Sequence, residues 1–222
     1  MYLIFDTETT GLPKNYKAPI TNTEVWPRVV QIAWQLHDSS GLLLENRDFI
    51  IRPEGFNIPL YAEQIHGIST ELAMQKGSGL AEVLALFNEV LKKSKFVVGH
   101  NVEFDINVLA CEFFRIEIPT ILQERSILDT CTEKTAGICK IPGGKGGKFK
   151  LPTLSELHSK LFDEDFKEAH NATADVEVTG RCFLELVRLG TYSNKELECS
   201  DEEMAQFAAA NPNPFKLFGF KH

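Results

Sequence analysis

A chain of 222 residues with 43 % hydrophobic side chains can close one α/β domain and has room beyond it for only a short appendage. Five cysteines, odd in number and without a C-x-x-C pair, exclude a zinc ribbon or a disulfide framework and point to reduced thiols in a cytoplasmic protein; no apolar leader precedes Asp6, and no run approaches membrane-spanning length. A net charge of −8 argues against tight, sequence-independent binding of long duplex nucleic acid, while leaving the handling of a strand end open.

The first predicted strand covers residues 2–6 and runs into Asp6-Thr7-Glu8. Alternation along a strand puts Asp6 and Glu8 on one face. There, two carboxylates repel each other unless a cation sits between them, and hard divalent ions take such oxygen ligands. Taken alone, the pair is equally an ordinary solvated strand end. Strands at 28–37 and 42–51 follow, joined by a turn at Asp38-Ser39-Ser40-Gly41. Residues 80–93 predict a helix with Leu80, Val83, Leu84, Phe87 and Leu91 on one apolar stripe. A buried strand at 95–98 leads through Gly99-His100-Asn101 into a helix at about 103–114, whose first turn holds Asp105. Next come a short strand near 126–129 and a helix that the capping-box spacing of Thr153 and Glu156 opens and that runs to about 162. The last main helix, at about 172–189, carries Asp175 in its first turn. Three early strands and then alternating helices and strands predict an α/β fold with a mixed sheet flanked by helices.

Each polar residue in these segments also has a structural reading. Asp105 and Asp175 could interact with helix N-termini, Asn101 could be a helix cap, His66-Gly67 a simple turn, His100 a core residue and His170 a surface one. Jointly, Asp6-Thr7-Glu8, Gly99 through Asp105, and His170-Asn171-Ala172-Thr173-Ala174-Asp175 make coincidence improbable.

In these three segments the chain resembles the DEDDh (DnaQ-like) family of 3′→5′ exonucleases, which includes the proofreading subunit of bacterial DNA polymerase III. Ile65-His66-Gly67-Ile68-Ser69 resembles the family segment beside the terminal nucleotide, and Asp129-Thr130 a family pair that follows the second motif. The likeness spans residues 1–190 in order; residues 191–222 form a C-terminal appendage, helical and then flexible. The tyrosine subclass would need Tyr at Asn171, so the base at His170 places the chain in the histidine subclass. The resemblance implies a ribonuclease H-like sheet, with three antiparallel strands followed by alternating helix and strand. It also implies two divalent ions, Mg²⁺ or Mn²⁺, held by Asp6, Glu8, Asp105 and Asp175, with His170 as general base. Thr9, His66 and Asn101 would contact the 3′ end of single-stranded or frayed DNA, in proofreading or repair. Two alternatives remain: a 3′→5′ exoribonuclease or oligoribonucleotidase on the same site, and a non-catalytic nucleic-acid-binding module.

Charge is unevenly distributed. Residues 196–203 hold five acids and no Lys or Arg, whereas 134–150 hold Lys134, Lys140, Lys145, Lys148 and Lys150 and no acid. The stretch Pro142-Gly143-Gly144-Lys145-Gly146-Gly147-Lys148 fails as a phosphate loop, because Pro142 and Phe149 stand where the first Gly and the Ser/Thr belong. It reads as a mobile surface loop, or alternatively as one whose lysines meet substrate phosphates. Near the terminus, Phe215, Leu217 and Phe218 partly resemble a sliding-clamp docking peptide without its leading glutamine, which opens a polymerase or clamp partner for the tail.

Overall fold

The computed structural model describes residues 1–165 and 171–212. Strands β1 (Tyr2–Thr9), β2 (Val29–His37), β3 (Leu43–Ile50), β4 (Phe96–Gly99) and β5 (Ser126–Asp129) form one five-stranded sheet in the order β3-β2-β1-β4-β5. β2 pairs antiparallel with both β1 and β3, and β4 and β5 add in parallel on the other side of β1. This is the expected mixed sheet. The hairpin turn is built by Asp38, whose Oδ1 accepts from the N–H groups of Ser40 and Leu42 at 2.8 and 3.0 Å.

Helices cover both faces: α1 (Leu60–His66), α2 (Thr70–Lys76), α3 (Leu80–Lys93), α4 (Glu103–Arg115), α5 (Glu133–Cys139), α6 (Leu154–Phe162), α7 (Ala172–Arg188), α8 (Asn194–Leu197) and α9 (Asp201–Ala210). The alternation of β1 decides which helix meets which residue. Leu3 and Phe5 pack with Val83 and Phe87 of α3 and Val108 of α4, whereas Tyr2 and Ile4 pack with Val176 and Phe183 of α7, Leu161 of α6 and Phe207 of α9. Each such side chain contributes about 1.5–3 kcal/mol when fully buried. Tyr192, Leu197 and Phe207 belong to the second cluster, so the segment after α7 packs on the sheet.

α3 has its predicted bounds, and Thr153 and Glu156 form the predicted capping box: Glu156 N–H donates to Thr153 Oγ1 at 3.2 Å and Thr153 N–H to Glu156 Oε2 at 2.7 Å. Asn101 is not a helix cap. It takes a left-handed conformation with φ 62°, and the N–H groups of Asn101 and Val102 are instead bound by the Asp129 carboxylate at 2.8 and 3.1 Å. A Cβ on Gly99 would come within 2.6 Å of Val102 Cγ2, so only glycine lets β4 turn this tightly into α4. No helix among the described residues is long and apolar enough to cross a membrane. The clamp-like residues Phe215, Leu217 and Phe218 lie outside the described residues.

Candidate active site

β1 outruns its parallel neighbour. It pairs with β4 only from Tyr2 to Ile4, yet continues along β2 to Thr9. Asp6 and Glu8 therefore stand beyond the last rung with β4, at the carboxyl ends of the parallel strands, where open α/β sheets bind ligands. Both side chains point to the face covered by α7, and Asp175 descends from the first turn of that helix. Ligand oxygens of Asp6, Glu8 and Asp175 lie within 4.8 Å of one another. Two contacts fix the start of α7: Asn171 Oδ1 accepts from Thr173 N–H at 3.1 Å, and Gln31 Oε1 accepts from Ala172 N–H at 3.4 Å. Gln31 faces Glu8 across the β1–β2 ladder and is itself held by Asp48, to which its Nε2 donates at 2.8 Å.

Asp105 occupies the opposite side of β1. It is buried, and its Oδ1 accepts from the Thr7 N–H at 3.1 Å and the Thr7 hydroxyl at 2.6 Å. The four predicted acids thus divide into a triad and a fourth carboxylate held through Thr7. Burial raises the Asp6 carboxyl well above its ordinary range, and the neighbouring charges of Asp105, Asp175 and Glu8 raise it further. Burial, then Asp175 and Asp105, push Glu8 up to about 8. Burial also raises Asp105, against the bonds from Thr7. Hard oxygen donors crowded at this spacing suit a divalent cation such as Mg²⁺ or Mn²⁺, whose charge replaces the protons they otherwise retain.

Residues 3–183 match the family model RNase_T, described as an exonuclease. The chain belongs to the RNase_T exonuclease family. The match includes Asp6, Glu8, Asp105, His170 and Asp175. Among relatives, the 3′-5′ exonuclease DinG of Bacillus subtilis (strain 168) is 28 % identical over 186 residues, covering 84 % of this chain and 17 % of its own. The PolC-type DNA polymerase III of Streptococcus thermophilus (strain ATCC BAA-491 / LMD-9) is 29 % identical over 181 residues, covering 81 % of this chain and 11 % of its own. The chain therefore spans less than a fifth of either relative. E. coli Exonuclease I, solved in complex with a dA16 oligonucleotide, shares the fold with a TM-score of 0.66 and 23 % identity over 89 % of this chain and 42 % of that one. Exonuclease X, solved with 5′-overhanging duplex DNA, does so at 0.57 and 19 %, over 93 % and 99 %.

Of the other predicted residues of this RNase_T domain, Thr9 ends β1 and His66 stands beside its backbone. Thr9 is buried and spends its hydroxyl locally, donating to the Gly11 carbonyl at 2.7 Å. His66 closes α1 before Gly67, which is left-handed at φ 76°. Its Nδ1 accepts from Ile68 N–H at 3.1 Å, while its buried Nε2 has no hydrogen-bond partner of good geometry among the described residues. Burial lowers the His66 pKa, offset in part by the Thr9 backbone. Asn101 is exposed, and His100 is the structural residue of its alternative reading, with Nε2 donating to the Pro152 carbonyl at 3.0 Å. His170 lies outside the described residues. Sequence reasoning passed over Thr7, Gln31 and the contacts of Asp129. Gln31 carried a usable signal, as a polar residue inside the otherwise apolar run Val29-Val30-Gln31-Ile32-Ala33-Trp34.

A pH prediction follows from the crowded acids. Their folded pKa values lie above the unfolded ones, so the metal-free native state binds more protons than the unfolded state. Stability in EDTA should then fall as pH rises from the ordinary carboxylate range toward about 8, where Glu8 ionises. Mn²⁺ should raise the melting temperature more at pH 8 than at pH 6. Equal Mn²⁺ shifts at the two pH values would show that these acids are not where the ion binds.

Proposed function

We propose that the chain is a 3′→5′ exonuclease that hydrolyses the terminal phosphodiester of a DNA strand, with His170 as general base. The observation that carries this reading is the convergence of Asp6 and Glu8 from β1 with Asp175 from α7, while Asp105 backs the same strand end through Thr7. These four residues would hold two divalent ions, which when bound lower the pKa of a water and neutralise charge on the attacking and leaving oxygens. The protein's own part is positional. The β1 backbone sets the spacing of Asp6 and Glu8, Asn171 and Gln31 set Asp175, and Asp129 sets Asn101. Thr9 and His66 would meet the terminal nucleotide at this strand end. The relatives named as a 3′-5′ exonuclease and as a DNA polymerase favour DNA as the polymer.

The direct test is Mn²⁺-dependent release of mononucleotides from a 5′-labelled oligonucleotide, run on single-stranded, mismatched and paired DNA and on matched RNA. Products shortening stepwise from the 3′ end are expected, and a labelled mononucleotide released first from the 5′ end would overturn the polarity. A histidine base acts only when neutral, so activity should rise through the imidazole range to an optimum on the alkaline side of neutral. An optimum near pH 5 would remove His170 from that role.

A further inference from the structure

The Gly/Lys stretch after α5 is a closed loop with a defined neck. Lys150 N–H donates to the Ile141 carbonyl at 2.9 Å, and residues 145–147 form a short 3-10 turn. A Cβ at Gly144 would lie 2.3 Å from the Phe149 carbonyl oxygen, so glycine is required for the two limbs to touch. Between this loop and α5 runs a cleft of about 680 Å³, within the size range of ligand sites. Its rim presents Lys145 and Lys148 beside Phe149 and Leu151, which are 47 % and 48 % exposed.

The charges divide by task. Lys150 is committed to structure, because its Nζ donates to Glu156, the capping residue of α6, at 2.8 Å. Lys145 has no acidic partner among the described residues. Lys148 pairs with Glu133, the acid that lines the cleft, but both side chains are mostly exposed, and such a pair is worth about 0–1 kcal/mol. A phosphate can take the place of Glu133 at little cost. An exposed aromatic flanked by lysines is the composition of a platform for unpaired nucleotides.

The loop is also hung on the candidate site. Its outgoing limb ends at Pro152, whose carbonyl accepts from His100 at 3.0 Å, and His100 is the neighbour of Asn101. A strand leaving the acids past Asn101 would meet this limb. We propose that the cleft between α5 and the 141–151 loop holds the single strand upstream of the 3′ terminus, with Lys145 and Lys148 on phosphates and Phe149 against a base. The proposal rests on the nuclease reading and adds to it a track outside the reacting centre. It places the basic footprint that a chain of net charge −8 otherwise lacks.

The test compares wild type with the triple variant Lys145→Ala, Lys148→Ala, Phe149→Ala on two substrates, dT20 and the p-nitrophenyl ester of thymidine 5′-monophosphate, which reaches no further than the acids. The ratio of kcat/KM for dT20 to that for the ester should fall at least tenfold. Binding of labelled dT20 or U20 in Ca²⁺, read by anisotropy, should weaken by a similar factor, and the salt slope should shrink by about 1.4 for two phosphate contacts at roughly 0.7 each. An unchanged ratio, or equal loss on both substrates, would overturn the track. Failure of wild type to turn over either substrate would count against the nuclease reading, and the anisotropy comparison would still judge the loop.

Discussion

Asp6→Asn is expected to reduce mononucleotide release by about 10³-fold or more, a loss of roughly 4 kcal/mol of transition-state stabilisation at about 1.4 kcal/mol per decade. Removing a ligand from a metal centre costs several kcal/mol of charge stabilisation, and Asp6 is the acid that all three others surround electrostatically. The substitution keeps the shape of the side chain and takes one acid out of a crowded cluster. The metal-free variant should therefore melt in EDTA at pH 8 no lower than wild type. Its Mn²⁺-induced rise in melting temperature should shrink sharply. The two readouts separate a site effect from a folding effect. More than a tenth of wild-type activity would show that the reaction does not depend on Asp6, and melting well below wild type in EDTA would show that Asp6 serves the fold.

What was legible in the sequence was local and periodic. The first strand, the stripe of α3 and the Thr153–Glu156 box each lie within one element; α3 and the box are present as read, and the strand read at 2–6 runs on to Thr9. Asp6, Glu8 and Asp175 were legible too, because the first two share a strand face and the third opens a helix. The remainder depends on partners that only the fold brings together. Asn101 looked like the cap of α4 because it stands where a cap stands, but the cap comes from Asp129 at the end of β5, 28 residues along the chain. The setting of Asp105 was not legible: α4 brings it to the Thr7 face of β1, where Thr7 holds it, whereas α7 covers the Asp6 face. Helices α1, α2 and α5 have seven residues each, under two turns, too short to show a period of 3.6. The loop at 142–150 read as mobile, and its neck is a backbone bond between residues that composition does not distinguish.

Glu112→Ala should be strongly destabilising. Nothing in the sequence marks Glu112, which reads as one more charged residue on a helix. In the fold its side chain is almost wholly buried, and its Oε1 accepts from Arg28 Nε at 2.8 Å and Val29 N–H at 3.0 Å while lying 3.0 Å from Arg115 Nη1. Arg115 also donates to the carbonyls of Thr23, Trp26 and Pro27, so one carboxylate and one guanidinium together pin the segment that enters β2. Removing one partner of a buried pair usually costs about 3–5 kcal/mol, because the other charge is left buried and unpaired. Here Arg28 is a quarter exposed and can turn to solvent, and Arg115 keeps its carbonyls. Those two outlets put the expected loss near the lower end, about 3 kcal/mol, or roughly 6–12 °C in melting temperature for a chain of this length. Glu112→Gln should lose less, since Oε1 can still accept from Val29. The effect should reach the candidate site as well: Arg28 accepts at its carbonyl from Thr10 N–H at 2.9 Å, so a loosened Arg28 frees the turn after Thr9. Thermal and urea melts of the two variants decide the matter. Because the pair is buried, the difference between wild type and Glu112→Ala should change little between low and high salt. A loss under 1 kcal/mol, or one that high salt abolishes, would mean that the charges at Glu112 are solvated and that the β2 entry is held by packing alone.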